Sequence, residues 1–108
     1  MKLVIAIVNR DDSTDLIHEL NKAGFMSTRL STTGGFLRAG NITLLIGTDD
    51  AKVPQVIEIM RGCCSKRSEI VSGSAGNYSD HFYASLPVEV SVGGATVFVV
   101  DVEQFIKM

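Results

Sequence analysis

The stretch Thr32-Thr33-Gly34-Gly35-Phe36-Leu37-Arg38-Ala39-Gly40-Asn41 gathers residue types that suit a nucleotide. Paired glycines let backbone N–H groups turn toward an anion and admit a close approach. Threonine hydroxyls can donate to a phosphate or a base, and Phe36 offers a flat apolar face for stacking. Arg38 presents a charged fork to phosphate, and the Asn41 amide can both donate to and accept from an adenine edge. The Gly-Lys-Ser/Thr ending of a P-loop is absent. By residue type alone, the same stretch also reads as a glycine-rich hairpin loop with one apolar anchor and one exposed arginine. Both readings stand at this point.

Other chemically able residues have plainer explanations. His18 falls on the wet side of an amphipathic helix, and His81 lies alone in a polar stretch. Cys63 and Cys64 are adjacent, and a vicinal disulfide is strained, so one buried and one partly exposed thiol are expected. Basic neighbours Arg61, Lys66 and Arg67 would lower a thiol pKa, whereas the end of a helix opposes that. Two cysteines and two scattered histidines lack zinc spacing, so no metal site is expected. Asp11 and Asp12 read as helix-capping residues rather than a catalytic carboxylate pair. Tyr78, Phe82 and Tyr83, in an otherwise polar segment, suit either a partner contact or a pin that holds the segment to the domain.

The chain that must position these groups has 108 residues, 45% hydrophobic and 20% charged, which fits one folded domain and excludes a wholly disordered chain. Ten Lys and Arg against twelve Asp and Glu give a net charge of −2. A protein that grips nucleic acid through its phosphates is normally basic, so DNA and RNA are not favoured partners. No apolar run approaches the roughly 18 residues of a membrane-spanning helix. The opening MKLVIAIVNR reads as a first strand rather than a signal peptide, and the expected compartment is the cytoplasm.

Residues 2–8 are apolar and β-branched on both faces, which indicates a buried strand. Leu16, Ile17, Leu20 and Ala23 recur at helical spacing over 13–23, and Gly24 followed by Phe25 closes that helix. Residues 25–32 and 41–47 read as strands, and a second helix over about 51–63 carries Val53, Val56, Ile57 and Met60, with Pro54 in its first turn. Residues 68–72 read as a short strand and 73–81 as a polar loop. Strands over 86–92 and 95–102 flank Gly93-Gly94, a hairpin signal. The predicted architecture is a single α+β domain, a ferredoxin-like βαββαβ sandwich with a C-terminal β-hairpin. Both helices then cover one face of the sheet. A sheet with one wet face alternates apolar and polar residues, but residues 3–8 and 97–100 do not. The second face is therefore expected to pack against other copies of the chain, or else under the long 64–86 segment.

TTGGFLRAGN and PVEVSVGGATVFVV, with similarity along nearly the whole chain, resemble the cyclic di-AMP receptor family of PII-like signal transduction proteins. The resemblance implies a cytosolic homotrimer that is not an enzyme, with ligand pockets between neighbouring subunits. It implies a short loop at 33–40 and a long flexible loop at 65–86 that change on binding and are offered to a protein target. The pocket positions matched are Thr28, Gly35, Phe36, Leu37, Asn41 and Gly47. Thr28 and Asn41 are similar to the groups that read adenine, Phe36 to the residue that packs on the base, and residues 35–37 to the phosphate-facing backbone. Two positions depart from the family pattern. Met26 stands where an arginine is common, and Lys107 where a glutamine is common. Lys107, Arg29 or Arg38 would also suit a polyphosphate, so ATP or ADP is the alternative ligand.

Three functional classes follow. The leading one is a nucleotide sensor for cyclic di-AMP, with contacts at Thr28, Gly35, Phe36, Leu37, Arg38, Asn41, Gly47 and Lys107 and no resident cofactor. The second is a small acyl-phosphatase on the same fold, for which Arg38 and Asn41 are available but no base lies beside them. The third is a ligand-independent trimeric interaction module, motivated by Met26 and Lys107.

Overall fold

A computed structural model describes residues 1–30, 40–65, 67–72 and 87–108. The first strand, β1 (Lys2–Asn9), turns Val4, Ala6 and Val8 inward, where they are essentially inaccessible to water. Leu3, Ile5 and Ile7 point the other way and are half-buried. Helix α1 (Arg10–Lys22) follows without a loop. Its cap is Asn9, whose Oδ1 accepts the Asp11 backbone N–H at 2.8 Å. The helix thus begins three residues before the expected start, and Asp11 and Asp12 lie in its first turn, where the helix dipole favours a carboxylate. At the far end Gly24 takes φ +90°; its N–H donates to the Asn21 carbonyl and the Phe25 N–H to the Leu20 carbonyl. With Phe25 buried, this is the glycine-closed helix end that Gly24-Phe25 announces.

Strand β2 (Ser27–Leu30) begins two residues later than expected, residues 31 and 32 lying outside the described residues, and β3 (Asn41–Thr48) buries Ile42, Leu44 and Ile46. A single 3-10 turn over Asp50–Lys52 leads into α2 (Val53–Cys63), with Pro54 in the first turn and Val56 and Met60 in the core. The core fills the space between both helices and one face of the sheet, joined by Leu16, Leu20, Phe25 and Cys64.

The main sheet runs β2-β3-β1-β6, all neighbours antiparallel, where β6 is Ala95–Asp101. The Lys2 ammonium hydrogen-bonds the Asp101 carboxylate and so ties β6 to the start of β1. That bond lowers the Asp101 pKa and raises that of Lys2. Strand β4 (Arg67–Ser72) pairs instead with β5 (Pro87–Val92) in a separate two-stranded ribbon. The arrangement is a small α+β domain with an antiparallel sheet and two helices, compatible with the ferredoxin-like plan.

The expected C-terminal hairpin is not formed. Gly93 and Gly94 do take positive φ, +83° and +81°, but the strands on either side pair with different partners, β5 with β4 and β6 with β1. The glycine pair is a corner between two sheets. The glycine pair supplies the positive φ that its sequence implies, but strand pairing is decided at long range: β1 is apolar on both faces and leaves an edge that Ala95–Asp101 fills. Part of the segment expected as a long loop, 65–86, is accordingly strand β4, and the short loop 33–40 lies outside the described residues except for Gly40.

Candidate functional site

Residues directly opposite in an antiparallel pair share a face. The registers Ile5↔Leu45, Leu3↔Gly47, Ile5↔Phe98, Leu3↔Val100 and Thr28↔Leu45 therefore define one continuous surface on the side away from the helices. Phe98 and Val100 stay 46% and 42% exposed there, too much for a finished apolar core. No helix of the described residues covers this face; both pack on the other.

Three nominated site residues sit on this face. Thr28 is exposed on β2 opposite Leu45, and Gly47 is exposed on β3 opposite Leu3. A Cβ on Gly47 would stand 3.7 Å from Met1 Cε, an ordinary contact, so its value lies in the bare surface it leaves. Asn41 opens β3, opposite Asn9. At about 3.4 Å per residue, Asn41 lies about 14 Å along the strand from Leu45 and about 20 Å from Gly47. On one protomer Gly47 and Asn41 thus lie towards opposite ends of this face, with Thr28 at a level between them. Gly35, Phe36, Leu37 and Arg38 lie outside the described residues, as do His81, Tyr78, Phe82 and Tyr83. Lys107 is exposed in the C-terminal tail beyond β6. Met26, next to β2, is 84% exposed and presents an uncharged side chain to solvent.

Asn41 borders a recess of about 440 Å³ that is also lined by Ile7, Asn9, Gly93, Gly94 and Thr96. The Gly40 carbonyl beside it accepts the Arg10 N–H at 2.7 Å, which fixes the chain where it enters β3. The recess offers amide groups and glycine backbone, a surface suited to hydrogen-bonding a planar polar edge. Asn9, Gly93, Gly94 and Thr96 become neighbours of Asn41 only through the pairing of β1 with β3 and β6, a register that local sequence does not announce.

Two other recesses among the described residues carry no such set. One of about 570 Å³ lies between α2 and β6, lined by Ile57, Met60, Arg61, Cys64, Ala95 and Val97. Another, of about 520 Å³, lies between the helices and is bordered by His18, which is exposed, with Asp15, Glu19 and Glu58. Among the described residues no group of three metal-ligating side chains assembles.

Cys63 is half-buried and Cys64 buried, both free. Burial, reinforced by Glu19, Asp15 and Asp12, raises the Cys63 pKa; burial, with Asp12 as the next cause, pushes Cys64 up to about 11. Arg67 opposes this at Cys64 but is the smallest of the causes. The folded protein therefore favours the neutral Cys64 thiol, whereas the unfolded chain releases that proton nearer the ordinary value. Stability from this group is complete below about pH 9 and should be lost as pH rises toward about 11. Urea midpoints measured over that window should fall, and Cys64→Ala should flatten the slope; an unchanged slope would refute the assignment.

Two helices on one face of an antiparallel sheet, an opposite face that no helix of the described residues covers and an amide-lined recess at its edge define a small α+β domain. The chain matches the family described as cyclic-di-AMP receptor over residues 1–108 and belongs to that family. It is also similar to a solved structure, the crystal structure of a functionally unknown protein from Pediococcus pentosaceus ATCC 25745. The TM-score is 0.75 at 39% sequence identity, covering 99% of this chain and 96% of that one.

Proposed function

We propose that this protein is a PII-like cyclic di-AMP sensor that acts as a homotrimer, with the nucleotide held between subunits. The observation that carries this reading is the sheet face left open by the helices, which carries Thr28, Asn41 and Gly47 together. Asn41 and Gly47 stand towards opposite ends of β3 on that face, and Thr28 stands between those levels, opposite Leu45. A second copy laid on that face would bury Phe98 and Val100 and close the nucleotide site between subunits. In this reading Thr28 and Asn41 pair with adenine, and Phe36 packs on the base. The backbone of Gly35 and Leu37 faces the phosphates, and Gly47 leaves room. Arg38 and Lys107 supply positive charge. Binding is relayed to a protein target through residues 33–40 and 65–86. No catalytic step is assigned, and the sensor works in the cytoplasm.

Calorimetric titration with cyclic di-AMP, then with ATP and ADP, tests the reading. Saturable cyclic di-AMP binding is expected, weakened about tenfold to a hundredfold in Asn41→Ala, the loss of one two-pronged amide–adenine contact. Saturation by ATP or ADP alone would move the protein to adenine-nucleotide sensing, for which Lys107 supplies a cation. Silence from all three would end the sensor reading.

A further inference from the structure

The ribbon β4–β5 is joined to the main domain by a side chain that reaches across 55 positions of sequence. Arg67 Nη2 donates to Asp12 Oδ1 at 3.0 Å, and Nη1 lies 3.4 Å from Oδ2, so the guanidinium grips the carboxylate with both prongs. Asp12 is only 7% exposed. Arg67 Nη1 also donates to the Ser65 carbonyl at 3.1 Å, and Gly93 backs onto both groups. The end of α2, the start of β4, the corner after β5 and the first turn of α1 thus converge on one guanidinium.

That first turn is itself tied to the nucleotide end of the sheet. The Arg10 N–H donates to the Gly40 carbonyl at 2.7 Å, and Asn9, opposite Asn41, caps the helix through the Asp11 N–H. The path Asn41–Gly40–Arg10–Asp12–Arg67 is made of short bonds and one helical turn. We propose that the Asp12–Arg67 pair is a positioning link, through which occupancy at Asn41 is felt in the ribbon that carries both ends of segment 73–86. The inference deepens the sensor reading and rests on it for the identity of the ligand. A two-pronged ion pair suits the task because it fixes orientation as well as distance, which a single-point contact does not.

Spatial continuity alone does not establish coupling, so the test perturbs one end and reads the other. Hydrogen exchange is measured first on the nucleotide-free protein. Arg67→Gln changes no residue of α1, yet by releasing Asp12 it should speed exchange of the Arg10 amide by about fivefold or more, along with the β4–β5 amides. Arg67→Lys, which keeps the charge and loses the fork, should fall between and serves if the glutamine variant folds poorly. Faster ribbon exchange with an Arg10 amide within about twofold of wild type would make the pair a simple anchor and overturn the proposal. The second arm adds saturating cyclic di-AMP. Arg67→Gln should keep Kd within about threefold while losing the nucleotide-induced change in exchange at 67–72 and 87–92. A full wild-type response in that variant would also overturn the proposal. If wild type fails to bind cyclic di-AMP, the sensor reading falls, and the nucleotide-free arm decides the link by itself.

Discussion

Phe98→Asp should take the protein apart into folded single chains. Light scattering on the wild type should give about three times the 11.6 kDa chain mass, and on the variant the mass of one chain, with an unchanged circular dichroism spectrum. The expectation follows from where Phe98 sits. It lies on edge strand β6, opposite Ile5, on the face that the helices leave open, and 46% of its surface is exposed in one protomer. A charge is therefore tolerable in the free chain and intolerable once a second copy covers that face. Losing the buried ring forfeits about 2 kcal/mol. Taking an unpaired carboxylate out of water costs several more, even after partial neutralisation. A total of about 5 kcal/mol per subunit weakens association by three to four orders of magnitude, roughly. Cyclic di-AMP binding should go with it, because the proposed pocket between subunits would no longer form. A variant that keeps the wild-type mass would show that this face is not the contact. A wild type already at 11.6 kDa would remove the between-subunit pocket altogether.

That the sheet has a second apolar face in need of cover was legible in the sequence because it depends on parity alone. Residues 3–8 and 97–100 are apolar at every position, and a strand with one wet face cannot afford that. Asn41 and Gly47 share a face for the same reason, being an even number of positions apart on β3. The closing of α1 by Gly24-Phe25 and the seat of Pro54 were legible because caps and first turns are decided within four residues. What failed were the features decided by distant partners. Gly93-Gly94 carries the backbone chemistry of a hairpin, but the edge offered by β1 took β6 away from β5. Asp12 looked like part of a cap, yet Asn9 performs that role and Asp12 answers an arginine 55 positions on. Nothing local in either residue announces the other. Placing Thr28 beside Gly47, and Asn9 beside Asn41, likewise required a strand register that the residues alone leave undetermined.

Gly93 supplies the largest expected loss of stability from the smallest change. A Cβ built there would lie 2.5 Å from the Ser65 carbonyl oxygen and 2.6 Å from Arg67 Nη1, and the residue holds φ +83°. Gly93→Ala therefore meets two penalties. The conformational one is about 1 kcal/mol or somewhat more for a non-glycine residue at that φ. The steric one falls on backbone at Ser65, which closes the end of α2 through its hydroxyl on the Arg61 carbonyl and cannot swing aside as a side-chain tip would. Relief requires moving the corner, and with it Arg67 from Asp12. Together these should cost about 3 kcal/mol or more, in the range reserved for strain and broken buried pairs. Gly24→Ala isolates the first penalty, since Gly24 holds φ +90° with nothing within 4 Å of the added carbon, and should cost only about 1 kcal/mol. Urea unfolding of both variants at one protein concentration makes the comparison, the fixed concentration being needed for any assembly whose folding includes association. Equal losses would mean that the corner yields freely and that Gly93 is there for its φ alone. A loss at Gly93 at least twice that at Gly24 would mean that bare backbone is required for the ribbon to be held against α1.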